Sequence, residues 1–357
     1  MVHACAVRVH LQRVVCEAAS RVVVPCAHSL AVILSYGAAG ERTNNMFNNR
    51  LMRRLTAGAC LLSLAVGSFL PIRAGTTAQA SVEVKPYIAF GASLKDSEKQ
   101  KVMNLLGVKE SQLPDYEVIE VTNDEEHEHL DKYIDKSVIG TRALSSVKIE
   151  EADAGSGIEV ETKNINFCTE AMYVNALSTA GFTDAKVTVA GPFPLSGTAA
   201  LVGAIKAYGA MQGEEVGEAV FDTAVDELVT TGEIIESVGS EKAAQLVAVV
   251  KNEVVKGDLT SEEDIKKAID DGAAKLDVEL TDEDKQKITD LMKKIGDLDL
   301  DLGVLEKSAQ SVYDALEDAG IDLGEAKGWF MSILSSIGDF FANIGKAIGD
   351  FFKGIFS

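Results

Sequence analysis

The stretch Lys186–Tyr208, KVTVAGPFPLSGTAALVGAIKAY, leaves a chain few ways to fold. Val187 and Val189 read as a short buried strand, and Gly191, Pro192 and Pro194 brake it into a turn. A helix then opens at Ser196, whose hydroxyl is placed to cap it. Leu201, Ala204, Ile205 and Tyr208 recur at steps of three and four, so one face of that helix is apolar. A strand feeding straight into such a helix needs a sheet for the helix to cover, and the upstream sequence supplies one.

Val82–Phe90 alternates Val82, Val84 and Ile88 with more polar neighbours and reads as a strand. Asp96 caps a helix carrying Val102, Met103, Leu105 and Leu106, which Gly107 ends. Tyr116–Val121 is a second strand. Thr122 and Glu125 form a capping box for a helix running to Ile134. Leu144–Glu151 and Gly157–Ile165 are strands, expected to pair as a hairpin through Ala154-Gly155-Ser156-Gly157. Thr169–Ala180 is a helix with Met172, Leu177 and Ala180 inward. Helices alternating with strands, plus one hairpin, argue a mixed sheet with helices packed on it.

From residue 213 the pattern is helical throughout. Glu214–Val238 carries Val216, Val220, Leu228 and Ile235 on one face, and Ser240 opens a helix faced with Ala243, Leu246, Val247, Val250 and Val254. Ser261–Asp264 and Thr281–Asp284 are capping boxes. Asp301 and Asp322 precede two further helices. The expected fold class is therefore α+β: a mixed sheet covered by helices over residues 81–212, a helical region over 213–323, and a long amphipathic helix over 324–357.

The first eighty residues differ in kind. They hold eight Arg, no Lys and two Glu, whereas residues 81–357 carry a net charge of −27. Arg50, Arg53 and Arg54 precede sixteen uncharged residues, Leu55–Leu70, and the stretch closes on Ala78-Gln79-Ala80. That order is a charged start, an apolar run and a small-residue cleavage site, as in a signal peptide spanning 46–80. The alternative is an uncleaved membrane anchor, for which the run is short. Residues 1–45 show no steady period. Gly40-Glu41-Arg42 can be encoded GGA-GAA-AGG, a good ribosome-binding sequence, three codons before Met46; residues 1–45 are accordingly expected to be leader read as protein.

Cleavage after Ala80 leaves Cys168 as the one cysteine, so no internal disulfide can form. Cys168 at a helix start is either a nucleophile or a small buried residue. A chain so acidic repels phosphate backbones, which excludes nucleic acid as a partner.

The strings VTNDEEHEHLDKYIDKSVIGTRALSSVKI (Val121–Ile149), GFTDAKVTVAGP, PFPLSGTAALVGAIKAY (Pro192–Tyr208) and DELVTTGEI (Asp226–Ile234) resemble the YpuA-like family, a domain of unknown function (1002) in exported proteins of Gram-positive bacteria. The resemblance spans most of residues 81–357. It implies an extracytoplasmic protein and transfers no catalytic residue.

Motifs for chemistry are weak. His127 and His129 sit at i and i+2, about 200° apart on a helix, where a zinc pair needs i and i+4. Asp297, Asp299 and Asp301 are spaced like a calcium loop, but Leu302 and Ser308 stand where it needs Gly and Glu. Ser145 and Lys148 match S-x-x-K on a strand, where they face opposite sides. No GxSxG, Walker A or dinucleotide fingerprint occurs, so no catalytic residue, metal or cofactor is assigned. The amides at Ser196, Gly197 and Thr198 are a candidate anion-binding helix start, with ordinary capping as the alternative. At 100° per residue, Phe330, Leu334, Ile337, Phe341, Ile344, Ile348 and Phe351 fall within an arc of about 120°. That face is expected to pack on the protein's own bundle, to associate with a protein partner or a second copy, or to lie on a membrane surface.

Two functions are compatible with this pattern: a non-catalytic binding or self-associating module of the cell envelope or medium, or an extracytoplasmic hydrolase or transferase of wall polymers using carboxylates such as Asp124, Glu125 or Glu126. Either way the secreted product should begin at Ser81. N-terminal sequencing of the envelope and medium fractions checks this, and a mature product starting at Met1 or Val2 would refute it.

Overall fold

Alternate residues of the first strand belong to two different cores. In the computed structural model, which describes residues 85–332 except 214, 258, 260, 325, 327 and 331, β1 spans Tyr87–Gly91. Ile88 and Phe90 pack with Val102, Met103 and Leu106 of α1 (Asp96–Leu105) and the residue after it. Ala89 faces the other way, into the main core. A strand covered on both faces must lie inside a sheet with helices on either side.

That sheet has five strands in the order β2-β1-β3-β5-β4, where β2 is Glu117–Val121, β3 Ser146–Glu151, β4 Ile158–Ile165 and β5 Ala185–Leu195. β1 runs parallel to β2 and β4 parallel to β5, while β3 is antiparallel to both β1 and β5. The sheet is thus mixed, as the sequence pattern requires. The expected hairpin between the third and fourth strands does not form, because β5 lies between them. The glycine turn instead wraps the start of β5: Gly157 N–H donates to the Asp184 carboxylate at 2.8 Å, and Ala185 N–H donates to the Gly157 carbonyl at 3.0 Å.

Between β2 and β3 the chain makes α2 (Asn123–Leu130) and the short α3 (Lys136–Ile139). α4 (Glu170–Thr179) follows β4, and α5 (Thr198–Gln212) follows β5. α5 lies so close to the sheet that a Cβ on Gly203 would come within 2.7 Å of Ala89 Cβ and 3.0 Å of Val121 Cγ2.

Five helices follow: α6 (Glu218–Val238), α7 (Lys242–Lys256), α8 (Glu262–Leu276), α9 (Asp282–Gly296) and α10 (Leu302–Asp318). The Ser261 and Thr281 capping boxes open α8 and α9 as expected, and Asp301 caps α10 through the Val304 N–H. The sequence change near residue 213 separates strands from helices, but the core does not stop there. One apolar cluster includes Ile149 and Val187 of the sheet, Met172 of α4, Leu246 of α7 and Leu305 of α10. Among the described residues no helix is long and apolar enough to cross a membrane.

Replacing Gly203 by Val should overpack the α5–sheet contact and cost about 1–3 kcal/mol. Urea denaturation of the purified chain measures it, and unchanged stability would show that the two layers separate without penalty.

Candidate functional site

β1, β2, β4 and β5 point the same way, so their carboxyl ends gather at one end of the sheet. α1, α2, α4 and α5 all begin there. In open sheets of parallel strands this is the end where ligands are held. The candidate site is therefore the start of α5 and what surrounds it.

The sharp entry into α5 is made by Gly197, whose φ of 98° lies in the left-handed region. A side chain there would strike the Tyr173 hydroxyl at 2.7 Å and Ile165 at 2.8 Å. Gly197, and not Ser196, is the N-cap, and no side chain of the cap residue bonds to the helix. Ser196 is displaced from the expected capping role because the turn places it one residue too early. Its hydroxyl meets Thr198 Oγ1 at 3.1 Å instead.

Distant segments cap the helix. Ser145 Oγ accepts from the Ala200 N–H at 2.9 Å. Glu126 of α2 accepts from the Thr198 hydroxyl at 2.5 Å and from the Ala199 N–H, and its second oxygen meets Asn123 Nδ2 at 3.3 Å. The Tyr173 hydroxyl donates to the Gly197 carbonyl at 2.6 Å. The Ala199 and Ala200 amides at this helix start are thus served by the chain itself, through the Glu126 carboxyl and the Ser145 hydroxyl. Glu126 is 2% exposed, and burial pushes its carboxyl above the usual range against the pull of the Thr198 and Asn123 hydrogen bonds.

The other sequence candidates are likewise engaged. Cys168 is buried, and burial pushes its thiol far above the range of a reactive cysteine. His127 Nδ1 meets Asp131 at 2.6 Å, and its Nε2 meets the Gly140 carbonyl at 2.9 Å. His129 stacks on Phe221 of α6. Glu125 completes the Thr122 capping box and pairs with Lys206. Lys148 pairs with Glu150, so Ser145 and Lys148 do not act together. Phe330 is buried and stacks on Tyr313 at 5.3 Å between ring centroids, which removes it from the expected association face: its ring fills the protein's own core. Leu334, Ile337, Phe341, Ile344, Ile348 and Phe351 lie outside the described residues.

Sequence reasoning missed a second polar group. Lys251 of α7 and Glu227 of α6 form an ion pair at 2.8 Å, with side chains 1% and 0% exposed. Lys251 Nζ also donates to the Asn175 carbonyl and to Ser178 Oγ, while Thr179 donates to the other Glu227 oxygen. Burial pushes the carboxyl up and the ammonium down, each opposed by its partner's charge. The available signal was a lysine four residues after Val247 and three before Val254, on the face that the sequence makes apolar. At the opposite end of the sheet a shallow cavity of about 290 Å³ opens between Ile149, Asp184, Tyr208 and Met211.

The family described as protein of unknown function (DUF1002) matches residues 90–312. The chain belongs to that family. A relative, "Uncharacterized protein YpuA" of Bacillus subtilis (strain 168), is 42% identical over 267 residues, covering 74% of this chain and 89% of the relative. No solved structure matches. The family resemblance read from Val121–Ile149 and Pro192–Tyr208 is thereby established, and both strings lie within the matched segment.

Two substitutions test the site. Ser145→Ala should cost about 0.5–2 kcal/mol, the range of a lost helix cap, and more than Ser196→Ala. Lys251→Met alone should cost about 3–5 kcal/mol by stranding Glu227, with most of it restored by adding Glu227→Leu. Chemical denaturation of the single and double variants measures both.

Proposed function

We propose that the protein is exported and acts in the cell envelope or medium as a non-catalytic binding or self-associating module. Export is supported by the Arg50–Ala80 pattern and the acidic chain that follows it. The observation that carries the non-catalytic part is the state of the strand-end site. Its carboxylate, hydroxyls, thiol and imidazole are bound to the protein's own backbone and side chains, or are sealed from solvent. Catalytic groups must instead face a substrate with protons free to move.

Association is assigned to the apolar positions of the carboxyl-terminal sequence, Leu334, Ile337, Phe341, Ile344, Ile348 and Phe351. Phe330 and the neighbouring Leu323 and Ala326 are already used in the protein's own core, so the associating face starts after them. Sedimentation velocity of the wild type and of Phe341→Asp/Ile344→Asp tests the reading. A self-associating wild type and a smaller, equally stable variant are expected. A wild type that stays monomeric and is unaltered by the substitutions would overturn self-association.

A further inference from the structure

The segment 122–144 leaves the sheet at the end of β2, crosses the start of α5 and returns to β3. Leu130 and Ile139 are buried and Tyr133 and Ile134 pack against the main core, while Asp131, Lys132, Glu128 and Lys136 face solvent. Polar ties add to this anchorage, and two of them come from adjacent residues. Glu126 reaches down to the first amides of α5. His127 reaches across to Gly140 and so joins α2 to the far side of α3.

Both ring nitrogens of His127 face acceptors: the Asp131 carboxylate at Nδ1 and the Gly140 carbonyl at Nε2. An imidazolium has two N–H groups and satisfies both. A neutral ring has one, so whichever nitrogen is bare then points its lone pair at an oxygen. We propose that segment 122–144 is a proton-operated clasp over the strand-end site, closed by the doubly protonated His127 and released when that proton is lost.

The surrounding charges agree in sign. The Asp131 hydrogen bond, then the Gly140 carbonyl, hold the His127 pKa above its ordinary value, with a smaller contribution from Glu126. A raised histidine contributes stability that is complete below about pH 6.5 and lost as pH climbs through the raised value. Glu126 is also raised, so it too favours the folded clasp less as its proton leaves. Around Glu126 the α5 side offers the Thr198 hydroxyl, and the α4 side offers Cys168 and Tyr173, both kept neutral by burial. The remaining charged ties do not oppose this trend. Asp131 and Glu125 are lowered carboxylates, whose ties weaken only as pH falls through the carboxylate range. Lys132–Asp222, Lys136–Asp131 and Lys206–Glu125 tie the segment further, as Arg142–Glu98 does at its far end, and His129 packs on Phe221.

Amide hydrogen exchange of the full chain, corrected for the intrinsic pH dependence, tests the clasp between about pH 6 and about pH 9. Peptides covering 123–144 should lose protection by up to about tenfold per pH unit above the histidine midpoint, while α7 peptides keep theirs. His127→Gln should show weak protection in the segment with most of the pH dependence gone, and Glu126→Gln should hold it closer at alkaline pH than the wild type does. Nitrogen NMR of the imidazole gives a second reading that does not depend on any variant folding. His127 should titrate above the ordinary histidine value, and Asp131→Asn should lower it. Segment protection independent of pH in the wild type, the same pH-dependent loss in His127→Gln, or a His127 titrating at or below the ordinary value would each overturn the proposal.

Discussion

A helix buried around its whole circumference must find partners for its first N–H groups inside the protein, and α5 is such a helix. Every residue from Thr198 to Ile205 is buried. Water cannot serve its amino-terminal amides, and its own N-cap is a glycine with no side chain to offer. The cost of leaving those donors unpaired fixes the positions of segments far away in sequence. Ser145 must stand just before β3, and α2 must press Glu126 downward. Much of what looks like a binding site at the strand ends is the consequence of burying the first turns of one helix.

The same constraint explains where sequence reading succeeded. Local signals were reliable: the Thr122, Ser261 and Thr281 capping boxes each open a helix, and the set Ala243, Leu246, Val247, Val250 and Val254 of α7 is buried as its spacing requires. Two readings failed because they needed partners from elsewhere. Ser196 has the chemistry of an N-cap, but the left-handed turn at Gly197 moves the helix start past it. The glycines at 154–157 suit a hairpin, yet sheet order depends on β5, whose pairing with both β3 and β4 has no local signature. The association face was legible as a stripe, but a stripe does not say what covers it, and Phe330 is covered by Tyr313.

The Lys251–Glu227 pair belongs to the same class of long-range effects. A lysine within an apolar helix carries no hint of its acid, which lies on a different helix. Once formed, the pair is surrounded by groups from α4: the Asn175 carbonyl, Ser178 and Thr179. Three helices are thereby set in one register, since sliding any of them by a turn would strand a charge in an apolar interior. In a core otherwise rich in Ala, Val and Leu, whose surfaces slide past one another at small cost, that polar point gives the helical layer a unique alignment.

The position of β4 has a consequence for how the chain is made. It is an edge strand whose one sheet neighbour, β5, comes later in sequence, with α4 between them. A chain emerging amino-terminus first exposes β4 before its partner exists. Its outward residues Glu159, Glu161 and Lys163 are charged, and Asn164 breaks the register with a φ of 58°. Such a strand is a poor template for another copy of itself, since like charges would face each other across the new pair. A strand that must wait for its partner is thereby kept from pairing wrongly while it waits.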